Sequence, residues 1–432
     1  MGTYQNLYKQ KLTSVEDALS HIKSGDVIGA SLCAMEPVSL LSRLHTLRGK
    51  VENVTIMRGL EMVKYPFMTD ADYADTFRCE SLFLMGPGRE SMRQGITSFA
   101  PTHLHNVLAR RRGYRYPNVV LISAAPMDEH GYFRCSLCQI WEAELLEHCD
   151  LVIMEVNPNM PLIGGDTAIH ISRVHHLVET NTPVPKLPRS PINEVDQVIG
   201  EYIATLVNDG DTIQLGIGGI PNAVGKALMS KRDLGLHIEM LTNSISDLVE
   251  AGVLTGRKKN LHNGKMIATF ALGDQKLYDM MHNNPAVEIL RGDYVNAPFV
   301  IAKNDNMVSI NTCISVDLSG QVNSESIGSL QYSGSGGQVD TACGAIHAKN
   351  GRSIIALNAT AKDGTVSTIM SSLAPGAIVT LSRNNVDYVV TEYGIASLRG
   401  RSVRDRVSNL IAIAHPHFRV DLKKQAEALM LW

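Results

Sequence analysis

Short apolar runs, each bounded by turn residues, recur along the chain at 119–124, 151–156, 308–310, 354–357, 378–381 and 388–391. Periodicity alone cannot separate a buried strand from a buried helix in runs this short. Their β-branched content and flanking turns favour strands. Between them lie stretches with apolar residues at helical spacing, such as 38–44 and 222–229. Strand, glycine turn, helix, strand is the grammar of a parallel sheet. The pattern predicts an α/β protein.

The pattern also repeats once. Thr13-x-x-Glu16, a capping box, opens a helix that leads into Gly25-Asp26-Val27-Ile28-Gly29 and then Pro37. A second helical stretch, 193–206, leads into Gly210-Asp211-Thr212-Ile213-Gln214 and then Pro221. After each proline come a helical pattern and a strand-like run, 54–59 in one copy and 237–242 in the other. Two copies predict two tandem, similar, open parallel-sheet domains. Between them, four prolines in 181–191 (Pro183, Pro185, Pro188 and Pro191) suit an extended linker. The predicted division is 1–188 and 189–432.

Composition narrows the class. With 432 residues there is room for two domains, and 19% charged residues with a net charge of -3 offer no footprint for nucleic acid. No apolar run approaches the ~18 residues needed to span a bilayer, and the first residues lack the apolar core of a signal peptide. A cytoplasmic protein with no membrane partner is expected. Seven scattered cysteines, an odd number, argue against a disulfide framework. Cys135-x-x-Cys138 has no second pair at zinc-ribbon spacing, so no metal is expected.

One residue breaks the apolar rule. Glu239 lies in Leu236-His237-Ile238-Glu239-Met240, and a carboxylate on such a run is costly to bury without a partner. Aligning the copies by their prolines sets it near Ile56, an ordinary core position. Two glycine turns, Gly216-Ile217-Gly218-Gly219-Ile220-Pro221 and Gly334-Ser335-Gly336-Gly337, can bring backbone N–H groups close to a ligand. A carboxylate facing such turns suggests a nucleophile beside an anion site. The plain readings are a strand-end ion pair and ordinary strand-to-helix turns. The first turn lacks the third glycine of the dinucleotide fingerprint, so NAD is not expected.

The runs GIGGIPNAV, LHIEM, SGSGGQVD and VTLSRNNVDYVVTEYGIASLRGRSVRDR, in this order, resemble the acetyl-CoA hydrolase/transferase family. This is the branch of class I CoA-transferases that holds the 4-hydroxybutyrate and butyrate CoA-transferases. The resemblance runs from about residue 10 to about residue 425. It implies the CoA-transferase fold with its active site at the domain interface, and Glu239 as a nucleophile that carries a glutamyl-CoA thioester. It further implies that Gly216, Ile217, Gly218, Gly219 and Ile220 bind CoA. Gly336 and Gly337 would close over the thioester, Ala359 and Lys362 would contact CoA, and Asn323 would lie near the substrate carboxylate. The implied reaction moves CoA between a short-chain acyl-CoA and a free acid such as acetate, butyrate or 4-hydroxybutyrate. Coenzyme A would then enter as substrate, with no permanently bound cofactor. A homodimer or homotetramer is implied as well.

Other tempting groups take plain readings. Glu392 would join an ion-pair network with Arg399, Arg401, Arg404 and Arg406. Asp128-Glu129-His130 would form an interface loop, His175-His176 would be helix surface or core, and His415-Pro416-His417-Phe418 would pack the last helix. Two departures from the family pattern bear on specificity: Leu241-Thr242-Asn243-Ser244 replaces a Ser-Asp-Gly-like turn, and Thr341-Ala342-Cys343 replaces a segment with Phe and Arg. A roomier pocket for a dicarboxylate such as succinate or itaconate is one expectation. An acyl-CoA hydrolase and a non-catalytic acyl-CoA-binding protein are the rival readings.

Overall fold

The computed structural model describes residues 2–431. The chain packs as two units: it passes from the first to the second after Leu187, and Ile267–Val295 returns to the first. The sequence reading assigns that returning segment to the second unit. Pairings distant in sequence decide otherwise. The Gly292 N–H donates to the Gln139 carbonyl at 2.8 Å, Asn283 N–H to Leu162 at 2.7 Å, and the Tyr278 hydroxyl to Pro185 at 2.8 Å.

The first unit is built on a seven-stranded sheet. Its strands are β1 (Val27–Ala30), β2 (Val54–Arg58), β3 (Phe77–Ser81), β4 (Thr97–Phe99), β5 (Val119–Ala124), β6 (Leu151–Val156) and β7 (His176–Glu179). They lie in the order β7-β6-β5-β1-β2-β3-β4, all parallel. Strands covered on both faces read as continuous apolar runs, and every residue of β1, β2 and β5 is buried. Helix α1 (Val15–Leu19) is capped by Ser14, whose hydroxyl accepts from Asp17 N–H at 3.0 Å. The predicted box at Thr13 is therefore shifted by one residue, since Ser14 and Asp17 hold the same cap-to-third-position spacing. Helix α2 (Val38–Arg43) follows β1. The doublet His175-His176 lies at β7, not on a helix: His176 starts the strand and stacks on His21.

The second unit carries β8 (Thr212–Leu215), β9 (Gly235–Leu241), β10 (Met307–Thr312), β11 (Arg352–Ala356), β12 (Tyr388–Thr391) and β13 (Gly394–Ser397). Their order is β13-β12-β11-β10-β8-β9, parallel except for the β12–β13 hairpin. Helices α3 (Glu194–Thr205), α4 (Gly219–Ala227), α5 (Gln338–His347), α6 (Val403–Ile413) and α7 (Pro416–Ala428) belong to this unit. A full capping box starts α3: Asn193 accepts from Asp196 N–H, and Asp196 accepts from Asn193 N–H. The last two helices close the core with Val407, Leu410, Ile413, Leu422 and Ala426 against Val389 and Ala396.

The repeat is visible in both sheets, since each unit sets its first strand between its second and a later one. Thr55 N–H donates to the Asp26 carbonyl at 2.9 Å, and Gly235 N–H donates to the Asp211 carbonyl at 2.8 Å. That equivalence matches Ile56 with Leu236 and Glu239 with Gly59. The proline-based overlay is off because the connection from proline to strand is shorter in the second copy. The run 378–381 is not a strand either. Ile378 and Val379 are 41% and 45% exposed, and only Leu381 bridges to Val322.

Candidate active site

Glu239 sits near the carboxyl end of β9, beyond the residues that pair with β8. In an open parallel sheet, ligands gather outside the carboxyl ends of the strands. The Asn296 side-chain amide donates to Glu239 Oε2 at 3.0 Å, and the Gly337 N–H bonds to the same carboxylate. Asn296 is 1% exposed and stands just before the short helix Pro298–Ile301. Burial pushes the Glu239 carboxyl up to about 7. The Asn296 bond opposes that, Asp340 in the first turn of α5 adds to it, and the Gly337 N–H opposes it.

Gly336 and Gly337 lead into α5. Gly336 takes φ +51, and a Cβ on Gly337 would overlap both the Glu239 carboxylate and the Asn296 amide. Only a glycine lets the backbone come this close. The N-terminal end of α5 carries partial positive charge, which favours negative charge in front of it.

A buried polar network anchors α5 from below. The Ser309 hydroxyl bonds to Gln214 Oε1 at 3.1 Å and to Thr341 Oγ1 at 3.0 Å, and the Asn311 amide reaches Thr341 Oγ1 at 3.2 Å. Thr341 is thus 3% exposed and tied to β10, while Cys343 receives the Asn385 amide at 3.1 Å. Cutting the network strands buried polar groups, which cost about 1–3 kcal/mol each. Thr341→Val is expected to lower the unfolding free energy by about that amount, read in an equilibrium urea experiment as a lower midpoint with the m-value unchanged.

The first glycine turn lies between β8 and α4. Gly218, at φ +118, lets the chain swing from β8 into α4. Ile217, Gly218, Gly219 and Ile220 line a cleft of about 470 Å³, faced by Asn358 and Thr360. Ala359, between them, is fully buried, and its N–H donates to Glu392 Oε2 at 2.9 Å. Gly216 continues the sheet, its N–H donating to the Ile310 carbonyl at 3.2 Å. Lys362 stands in an exposed turn after Thr360–Ala361. Two groupings result: Glu239 with Gly336 and Gly337, and Gly216–Ile220 with the 357–360 segment.

Family models for the acetyl-CoA hydrolase/transferase N-terminal and C-terminal domains match residues 2–188 and 273–426. The chain belongs to the acetyl-CoA hydrolase/transferase family. The succinyl-CoA:cyclohexane-1-carboxylate CoA transferase of Geobacter metallireducens is 43% identical over 427 residues, covering 99% of this chain and 97% of that one. The 4-hydroxybutyrate coenzyme A transferase of Clostridium kluyveri is 43% identical over 428 residues, covering 98% of each. The crystal structure of RipA from Yersinia pestis matches with a TM-score of 0.94 at 35% identity, covering 100% of both chains.

In this member of the family several candidates have other tasks. Asn323 is 2% exposed, and its side chain serves its own turn: it donates to the Ser326 carbonyl at 2.7 Å and accepts from Ser326 N–H at 3.0 Å. The residue beside the carboxylate is Asn296, which the sequence reading passed over. Glu392 positions the 357–360 segment through Ala359, while Arg399 pairs with Asp387 and Arg406 bonds to the carbonyls of Ser319 and Arg383. Asp128 caps its own turn through the N–H groups of His130 and Tyr132. Cys135 and Cys138 are buried free thiols pushed up by burial. Among the described residues no three His, Cys, Asp or Glu side chains converge as a metal set, and no helix is long and apolar enough to cross a membrane.

Proposed function

We propose that this protein is a CoA-transferase that moves CoA from a short-chain acyl-CoA to a free carboxylic acid, with Glu239 as the nucleophile. The observation that carries the reading is the Glu239 carboxylate at the end of β9, held by the Asn296 amide and the Gly337 N–H. A Glu239 oxygen adds to the thioester carbonyl, the C–S bond breaks, and the products are an acyl-glutamyl anhydride and CoA thiolate. The thiolate adds to the glutamyl carbonyl and expels the first acid, leaving CoA on Glu239 as a thioester. The second acid's carboxylate then reverses both steps. No net proton or redox equivalent is consumed.

Each addition creates an oxyanion. N–H donors already fixed in place, such as that of Gly337, stabilise it without reorganising, and one such donor is worth about 3–4 kcal/mol of barrier. The cleft beside Ile217–Ile220 is of a size to take part of the CoA moiety. The relatives named for succinyl-CoA and 4-hydroxybutyrate support a short acyl group, and a dicarboxylate such as succinate or itaconate is included in the proposal.

The alternative, hydrolysis, shares every step up to the anhydride or thioester and differs in admitting water. Turnover assayed with acetyl-CoA or succinyl-CoA against a panel of acids separates them. Transfer predicts that product acyl-CoA appears only with added acid and that total thioester is conserved. Release of free CoA at the same rate without acid contradicts transfer.

The pH dependence has a defined sign. A nucleophile must be ionised, so the single-turnover rate of adduct formation is expected to rise through a midpoint near 7 and level off above it. Stability runs the other way. The carboxyl is raised in the fold, so the native state holds the proton over the window where the unfolded chain has lost it, and stability falls as pH rises from about 4.5 to about 7. In Glu239→Gln that fall is expected to be shallower by the share of Glu239, the share of other raised carboxyls such as Glu155 remaining, which thermal melts of both proteins at pH 5 and pH 8 measure.

A further inference from the structure

The first unit holds a cavity of its own, of about 320 Å³, that the chemistry of Glu239 does not use. It lies at the carboxyl ends of three adjacent parallel strands, reached by Met57 and Arg58 of β2, Leu82 just past β3, and Ser98 and Phe99 of β4. In open parallel sheets, ligands gather outside the carboxyl ends of the strands. The volume is at the small end of ligand pockets.

The lining combines fixed cations with apolar walls. Arg58, 4% exposed, is ion-paired with Glu36 and lies over the Tyr65 ring at 4.8 Å. Glu36 is held in turn by the Tyr65 hydroxyl at 3.1 Å. On the neighbouring strand Glu80 binds both Arg111 and Arg115, the latter at 2.8 Å, and these hydrogen bonds hold its carboxyl low against burial. Arg110 also lines the space. Arg58 is matched by Glu36, with Glu61 close by, so the positive charge in excess comes from Arg110 and Arg111 in the lining and Arg115 behind them, set against Glu80 in a partly enclosed site where a counter-charge is weakly screened. Arginines held by packing and ion pairs need little reordering to bind a carboxylate through paired N–H donors. Met57, Leu82, Phe99 and Trp141 supply the apolar side.

We propose that this arginine-lined cavity binds a small carboxylate with an apolar body. The proposal stands independently of the role assigned to Glu239. Titration calorimetry with benzoate, on the full chain and on Glu239→Ala, tests it. Benzamide and inorganic phosphate serve as controls. The expected result is saturable benzoate binding of equal affinity in both proteins and none for benzamide. Arg111→Gln is expected to weaken binding about tenfold or more, because one charge-assisted pair is lost. Ser98→Trp, which fills the cavity from the exposed edge strand, should abolish binding and keeps the test open if Arg111→Gln does not fold. Absence of benzoate binding, its loss in Glu239→Ala, or affinity unchanged in both cavity variants overturns the proposal. Phosphate binding as tight as benzoate overturns the ligand class.

Discussion

Replacing Glu239 with glutamine is expected to lower CoA transfer by about 10⁴-fold or more, because the covalent route needs an oxygen nucleophile that an amide does not provide. The fold should survive the change. Glutamine has nearly the same shape, can still meet the Asn296 amide and the Gly337 N–H through its own carbonyl oxygen, and removes a carboxylate whose ionisation burial opposes. Steady-state transfer assays with thermal melts as a control check both halves of this result. Glu239→Asp offers a finer test. It keeps the carboxylate but withdraws it by one methylene, and a displacement of about 1 Å at a reacting atom costs about 10²-fold. Aspartate activity between wild type and glutamine indicates that position and charge both count. Equal activity in all three would mean that the carboxylate has no part in the reaction.

The second large effect belongs to Gly337. A methyl group there has no room, since it would overlap both the Glu239 carboxylate and the Asn296 amide. Gly337→Ala must move the carboxylate, the amide or the start of α5. Overpacking of this kind costs about 1–3 kcal/mol of stability. The larger loss is in rate: displacing one fixed N–H donor costs about 10²–10³-fold, so kcat should fall by at least that much. Gly336→Ala makes a useful contrast. Gly336 has φ +51, which an alanine adopts at a cost of about 1 kcal/mol. Its rate loss should therefore be clearly smaller than that of Gly337→Ala. Parallel melts and kinetics on the two variants compare them, and equal losses would indicate that backbone strain, not proximity to the carboxylate, sets the need for glycine.

Local patterns in the chain made much of this architecture legible. Apolar runs covered on both faces announce parallel strands, as in β5 and β6, and the helical spacing over 193–206 announces α3. Glu239 stands out because a carboxylate interrupts such a run. Features made by contacts distant in sequence were not legible. Asn296 meets Glu239 across 57 residues, from a stretch with no motif of its own, and only its burial next to Pro298 could have drawn attention to it. The segment 267–295 joins the first unit through Gln139, Leu162 and Pro185, none of which lies near it in the chain. The run 378–381 has strand-forming residues, yet Thr380 and Leu381 both donate to the single carbonyl of Val322, so no ladder forms. Asn323 resembles the family's substrate contact, and its bonds within its own turn, to Ser326, were not legible in the sequence.

The most direct measurement is mass spectrometry of the protein after brief incubation with acetyl-CoA, followed by digestion. The account predicts one CoA adduct, in thioester linkage, on the peptide that contains Glu239, absent from Glu239→Gln, and removed from the wild-type protein by adding a free carboxylic acid. An adduct on a different residue would contradict it, as would rapid exchange of thioesters with Glu239 unmodified throughout.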